Sequence, residues 1–164
     1  AIRWIIMPIE LSTRDLAILK LLQEDASRST AEIAKQLGMS QSPCWRRIHR
    51  LQQAGIIRKQ VALLDSDKLG MDVVVFTSVN LSTHGRQSLE EFETRIEKFP
   101  EVLECYTLTG SMDYMLKIMT RDIQHYEQFV RKQLSQMPHV REIHSNISVT
   151  RIKCTTELPL ENQI

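Results

Sequence analysis

The sequence is poor in the residues that build chemical centres. Its three cysteines, Cys44, Cys105 and Cys154, are far apart, form no CxxC pair and have no histidine pair nearby. An odd, scattered set argues against a disulfide framework and suits thiols kept reduced in a cytoplasm. The five histidines, at 49, 84, 125, 139 and 144, lack metal-ligand spacing. There is no glycine-rich loop to cradle a phosphate, and no cysteine has the setting of a catalytic nucleophile. The expectation is a protein that is not an enzyme and uses no cofactor. Long apolar runs are also missing: the stretch from Ile2 to Ile9 is broken by Arg3 and Pro8 and lacks a small-residue cleavage site, so it reads as neither a membrane span nor a signal peptide. Residues 1–11 read as an extension, with Met7 available as a start.

What is present is a globular composition, 42% hydrophobic and 25% charged, on 164 residues, enough for one ordinary domain or two small ones. The net charge of +1 conceals two parts of opposite sign. Residues 1–60 carry ten Lys and Arg against five acids, whereas the remainder carries eleven against fifteen. A basic part suits phosphate contacts, and an acidic one would be repelled by DNA and is fitted to another task.

Within residues 12–57 three short helical patterns follow one another. Ser12-Thr13-Arg14-Asp15 resembles a capping box and opens a helix with Ile18, Leu19 and Leu22 on one face. Ser29-Thr30-Ala31-Glu32 opens a second, with Ile33, Ala34 and Leu37 inward and Gly38 ending it. A third begins near Ser40 or Ser42 with Pro43 in its first turn, and Cys44, Ile48 and Leu51 form its buried stripe. Its other side carries Arg46 and Arg50 four apart, Arg47 and His49 beside them, and Gln41 and Ser42 at the start. An Arg-rich face taken alone is as often a solvated face. A capped helix, a tight glycine turn and a third helix whose exposed positions are nearly all donors together favour a helix-turn-helix on DNA. Trp45, beside the stripe, reads as packed.

Residues 58–70 read as a linker: the run from Ile57 to Leu64 is β-prone and ends at the turn cluster Asp65-Ser66-Asp67. Over 71–154 the patterning gives a strand at 73–81, a helix marked by Leu89, Phe92, Ile96 and Phe99, strands at 102–109 and 114–119, a helix marked by Ile123, Tyr126, Val130 and Leu134, and a last strand at 143–152. Residues 155–164 read as a tail. The order βαββαβ is the ferredoxin-like arrangement, with two helices on one face of a four-stranded antiparallel sheet. The other face, including apolar residues of the first and last strands, calls for a partner subunit. Between the middle strands lies Leu108-Thr109-Gly110-Ser111-Met112-Asp113-Tyr114. Gly110 allows close backbone approach, neighbouring amides can receive a carboxylate, and Asp113 can accept from an ammonium. By itself the segment better suits a plain hairpin in which Gly and Asp serve the turn.

The run from Ser12 to Leu19, Leu22-Gln23, Ser29 to Gly38, Leu51 to Ile57 and above all Met39-Ser40-Gln41-Ser42-Pro43-Cys44-Trp45-Arg46-Arg47-Ile48 is similar to the leucine-responsive/AsnC (Lrp/AsnC) family of transcription regulators, along nearly the whole chain. Ser12 stands where that family often has an acid, and either can cap the helix. The resemblance implies an α+β protein, a winged-type helix-turn-helix followed by a ferredoxin-like ligand-binding (RAM) domain. It implies DNA contacts from Gln41, Ser42, Pro43, Trp45, Arg46, Arg47 and Arg50. It also places an amino-acid effector, leucine or methionine, at Thr109, Gly110, Asp113 and Tyr114, at a site completed by a neighbouring subunit. The implied partners are double-stranded DNA, that amino acid and further copies of the chain, as dimers assembling to an octamer, with no membrane and a cytoplasmic location. A DNA-binding assembly protein without a small-molecule response is the alternative.

Overall fold

The computed structural model describes residues 10–82 and 85–160; residues 1–9 of the expected 1–11 extension, His84 and the end of the expected tail lie outside the described residues. Two units form, one from the chain up to Leu63 together with the segment from Lys153, the other from Leu64–Ile152.

The N-terminal unit is built on α1 (Thr13–Glu24), α2 (Thr30–Gln36) and α3 (Gln41–Gln53). Both expected capping boxes are made. The Ser12 hydroxyl accepts from Asp15 N at 3.2 Å while Asp15 Oδ2 accepts from Ser12 N at 2.9 Å, and Ser29 and Glu32 repeat the exchange at 3.3 and 2.7 Å. Each satisfies amide donors that a helix start leaves unpaired. Gly38 takes φ 60° in the turn to α3. Ile18, Leu21, Ile33, Ala34, Cys44 and Leu51 form the core. On α1 the expected stripe is shifted: Leu16 and Leu21 are buried with Ile18, and Leu19 and Leu22 lie half-buried beside them. The run Leu-Ala-Ile-Leu-Lys-Leu-Leu offers two apolar faces, and packing against α3 selects one. At the end of the chain, Gln23 binds the backbone of Leu158 through both ends of its amide, at 2.9 and 3.1 Å.

The expected strand at 57–64 does not form. Among the described residues the run meets no neighbouring strand, and β propensity without a ladder leaves backbone groups to water. Val61, Leu63 and Leu64 are exposed.

The C-terminal unit runs β1 (Val73–Leu81), α4 (Arg86–Ile96), β2 (Val102–Thr107), β3 (Tyr114–Thr120), α5 (Ile123–Lys132) and β4 (Val140–Ile147). The strand order is β2-β3-β1-β4 with every neighbour antiparallel, which is the ferredoxin-like sheet. Phe92 and Ile96 of α4 and Tyr126 and Phe129 of α5 pack on Val75, Val79, Leu116 and Ile118. Inside this core the Thr77 hydroxyl is satisfied by Tyr126 Oη at 2.8 Å.

Three expectations shift here. The second helix ends at Lys132, and Leu134 is buried from a single 3-10 turn at Leu134–Gln136. The last strand lies earlier than expected, because the bond from Ser148 N to Val74 O at 2.8 Å is close to the limit of its partner β1; Val149 and Ile152 beyond it are almost fully exposed. Finally, Ile143 and Ile147 stand opposite Val79 and Val75, and opposed residues of antiparallel strands share a face, so the apolar residues of β4 belong to the helix side. The uncovered face is mixed instead: Phe76 and Met115 lie among Glu104, Lys117 and Tyr106, with Lys117 Nζ on Glu104 at 2.7 Å.

Candidate nucleic-acid interface and effector hairpin

The residues of α3 divide by the phase of the helix. Cys44 and Leu51 are buried and Ile48 half-buried, while Gln41, Ser42, Trp45, Arg46, His49 and Arg50 are exposed and Pro43 and Arg47 half-buried. Pro43 costs little in the first turn, where amides have no intrahelical acceptor. Ser40, the N-cap, makes no side-chain cap bond, so the electropositive start of α3 is left for another acceptor. Trp45 is not packed as expected. It is 55% exposed and stacks in parallel on His49, with centroids 5.1 Å apart, because one residue past Cys44 turns a side chain about 100° away from the stripe.

Arg47 and Arg50 do something that sequence reasoning missed. Arg47 Nη1 donates to Asp15 Oδ1 at 2.9 Å and to the Ser12 hydroxyl at 3.1 Å, and Arg50 Nη2 donates to Asp15 Oδ2 at 2.6 Å. Asp15 is fully buried. Burial alone would raise its pKa, but the Ser12 hydrogen bonds, the Arg47 bond and the Arg50 charge outweigh it and pull the carboxyl down to about 2. The aspartate that caps α1 thus also ties down α3, and through it the orientation of Arg46, which makes no ion pair among the described residues. Only the capping half of that role is visible locally, since the arginines lie 32 and 35 residues away.

The hairpin joining β2 and β3 divides in a similar way. Thr109 and Gly110 are exposed, and Gly110 has φ 125°, a conformation that favours glycine. Asp113 is occupied within the chain: its amide donates to Val79 O at 3.1 Å and Asn80 Oδ1 at 2.9 Å, and its Oδ2 accepts from Leu81 N at 2.7 Å. Tyr114 is buried against Phe92, centroids 4.5 Å apart, and its hydroxyl donates to Glu93 at 2.9 Å. Burial, then the Glu93 carboxylate, pushes that hydroxyl well above its ordinary pKa. Asp113 and Tyr114 thus fix the hairpin on β1 and α4. Asn80 was also missed. Its Nδ2 reaches Ser111 O at 2.9 Å and Glu142 Oε2 at 3.2 Å, and the signal for it is one amide side chain inside Val-Val-Val-Phe-Thr-Ser-Val-Asn-Leu.

Among the described residues no three His, Cys, Asp or Glu lie together as metal ligands, and no helix is long and apolar enough to cross a membrane. The three thiols are unpaired, and burial raises the pKa of Cys44.

The chain carries a match to the Lrp/AsnC ligand binding domain over residues 74–158 and to a winged helix-turn-helix DNA-binding domain over 11–58. It belongs to the Lrp/AsnC family. Within that family it is 42% identical to the transcriptional regulator AzlB of Bacillus subtilis, over 94% of this chain and 99% of that one. It is 31% identical to the DNA-binding transcriptional activator DecR of Escherichia coli, over 90% and 97%. Its fold matches an AsnC family regulator from Agrobacterium tumefaciens with a TM-score of 0.89 at 38% identity, covering 94% of this chain and all of that one. A regulator from Neisseria meningitidis, solved in complex with L-Met, matches with a TM-score of 0.90 at 33% identity and the same coverage. This Lrp/AsnC protein is a DNA-binding transcription regulator whose α3 is the helix of the DNA-binding domain that carries the exposed donors.

Proposed function

We propose that α3 enters the major groove with Gln41, Ser42, Trp45 and Arg46 toward the bases, that Arg47 and Arg50 serve phosphates from the edge of that face, and that an aliphatic α-amino acid at the 109–114 hairpin changes assembly and so DNA affinity. The observation carrying the DNA half is the division of labour on α3. Arg46 keeps its donors, and a bidentate arginine on guanine is a common way to read a base, whereas Arg47 and Arg50 are already bound to Asp15. The effector half is supported by the exposed Thr109 hydroxyl and the Gly110 backbone as receivers of a carboxylate, by Glu142, held beside Ser111 through Asn80, as an acceptor for an ammonium, and by the L-Met complex of the Neisseria relative. Such an effector must bind one assembly better than another. In this reading copies of the chain form dimers and then an octamer, the site is completed by a neighbouring copy, no cofactor or reaction is involved, and the protein acts in the cytoplasm.

The alternative, DNA binding and assembly without a small-molecule response, is favoured by one observation: Asp113 and Tyr114 are spent inside the chain. Thermal-shift measurements across the twenty amino acids, with light scattering on the same samples, separate the two. A selective rise in Tm with a change of particle size supports the sensor, and no response to any amino acid removes it.

A further inference from the structure

The C-terminal unit holds a cavity of about 290 Å³ at the other end of β3 from the hairpin. The two ends of this seven-residue strand lie about 20 Å apart at roughly 3.3 Å per residue. Its lining includes Met71 and Phe129 and the charged Glu101, Arg121 and Lys132. Its volume is close to the lower end, about 300 Å³, of small-molecule sites.

Glu101 Oε2 is buried and has no hydrogen-bond partner. A buried acceptor left unpaired costs about 1 to 3 kcal/mol, and it calls for a donor that the described residues do not supply. Lys132 is exposed and makes no ion pair among the described residues. Arg121 is held by Asp122 at 3.7 Å and His125 Nδ1 at 2.9 Å. A lone carboxylate would ask for an amine, and the unpaired Lys132 for an anion. Both around walls of thioether and phenyl ask for one molecule with an ammonium, a carboxylate and an apolar body.

We propose that this cavity is a second ligand site, separate from the hairpin, for a small zwitterion of the aliphatic α-amino-acid class: Glu101 receives the ammonium, Lys132 and Arg121 the carboxylate, and Met71 and Phe129 the side chain. It stands independently of the effector reading of residues 109–114.

The methionines provide the test. In the full chain carrying methyl-labelled methionine, Met112 reports on the hairpin and Met71 on the cavity. Titration with unlabelled L-leucine should move the Met71 methyl signal saturably. Glu101→Gln should weaken that titration about tenfold or more, the loss of one charge-assisted hydrogen bond. Lys132→Met, at an exposed position, should also weaken it and preserves the test if Glu101→Gln fails to fold. The proposal is overturned if the Met71 signal does not move, or if it moves identically in wild type and both variants. Movement of Met112 alone would support the hairpin as the effector site and overturn the cavity.

Discussion

The DNA-binding head and the hairpin between β2 and β3 each contain four to seven residues that a family resemblance marks as functional, and the two regions treat them differently. On α3 most of the marked side chains stay exposed while Asp15, outside the marked set, anchors two of them. In the hairpin two of the four marked residues, Asp113 and Tyr114, are themselves the anchors. A helix can bury one stripe and present another, because its period separates neighbours by about 100°. A short hairpin has no second face, so the residues that shape it and those that meet a ligand compete for the same positions.

The sharpest way to break this comparison is at Asp15. Asp15→Ala removes a cap and the shared acceptor of Arg47 and Arg50, and should destabilise the N-terminal unit by about 3 kcal/mol in urea unfolding followed by circular dichroism. A loss under about 1 kcal/mol would show that the arginines find water instead. The same anchor has a pH signature. Because the folded pKa of Asp15 is depressed to about 2, its contribution is complete above about pH 4 and is lost as pH falls toward 2. The stability gap between wild type and Asp15→Asn should therefore be constant from neutral pH down to about 4 and close below it.

Next in size is Asp113→Ala, which strands the Leu81 amide and should cost about 2 kcal/mol in stability. If Asp113 is an anchor, Tm falls with or without amino acids. If it is chiefly a ligand, Tm of the unliganded chain stays and only the amino-acid response disappears. On the DNA side, Arg46→Ala should weaken binding to a duplex recovered from random sequence by about 1 to 3 kcal/mol without lowering Tm, read by fluorescence anisotropy. Arg47→Ala should lower both Tm and affinity, and equal behaviour of the two variants would erase the division of labour on α3. The smallest effect is expected at Tyr114→Phe, about 1 kcal/mol in stability from the lost Glu93 bond, with DNA affinity unchanged.

Much of the architecture is legible in the order of the residues alone. Capping boxes at Ser12 and Ser29, the glycine after α2, the stripe Cys44-Ile48-Leu51 and the strand at 73–81 are local signals, and each is where the residues place it. Misplaced features share a different cause. The run at 57–64 and the end of the last strand look like strands in composition, yet a strand exists only where a neighbour accepts its hydrogen bonds. Trp45 escapes a reading by residue type because a preference for burial says nothing about helical phase. The role of Asp113 is hidden because Leu81, which claims its carboxylate, is distant along the chain.

The sequence by itself determined the helix starts, the order βαββαβ, the separation of a basic part from an acidic one and the family, since all of these rest on spacing, composition and local motifs. Only the tertiary structure decided which polar groups are already engaged. Asp15 with Arg47 and Arg50, Asn80 with Ser111 and Glu142, and Asp113 with Leu81 are all long-range pairs. The physical reason is that a carboxylate or a guanidinium reads the same in sequence whether it faces water or a buried partner, and burial, which makes that difference energetic, is fixed only when distant segments pack.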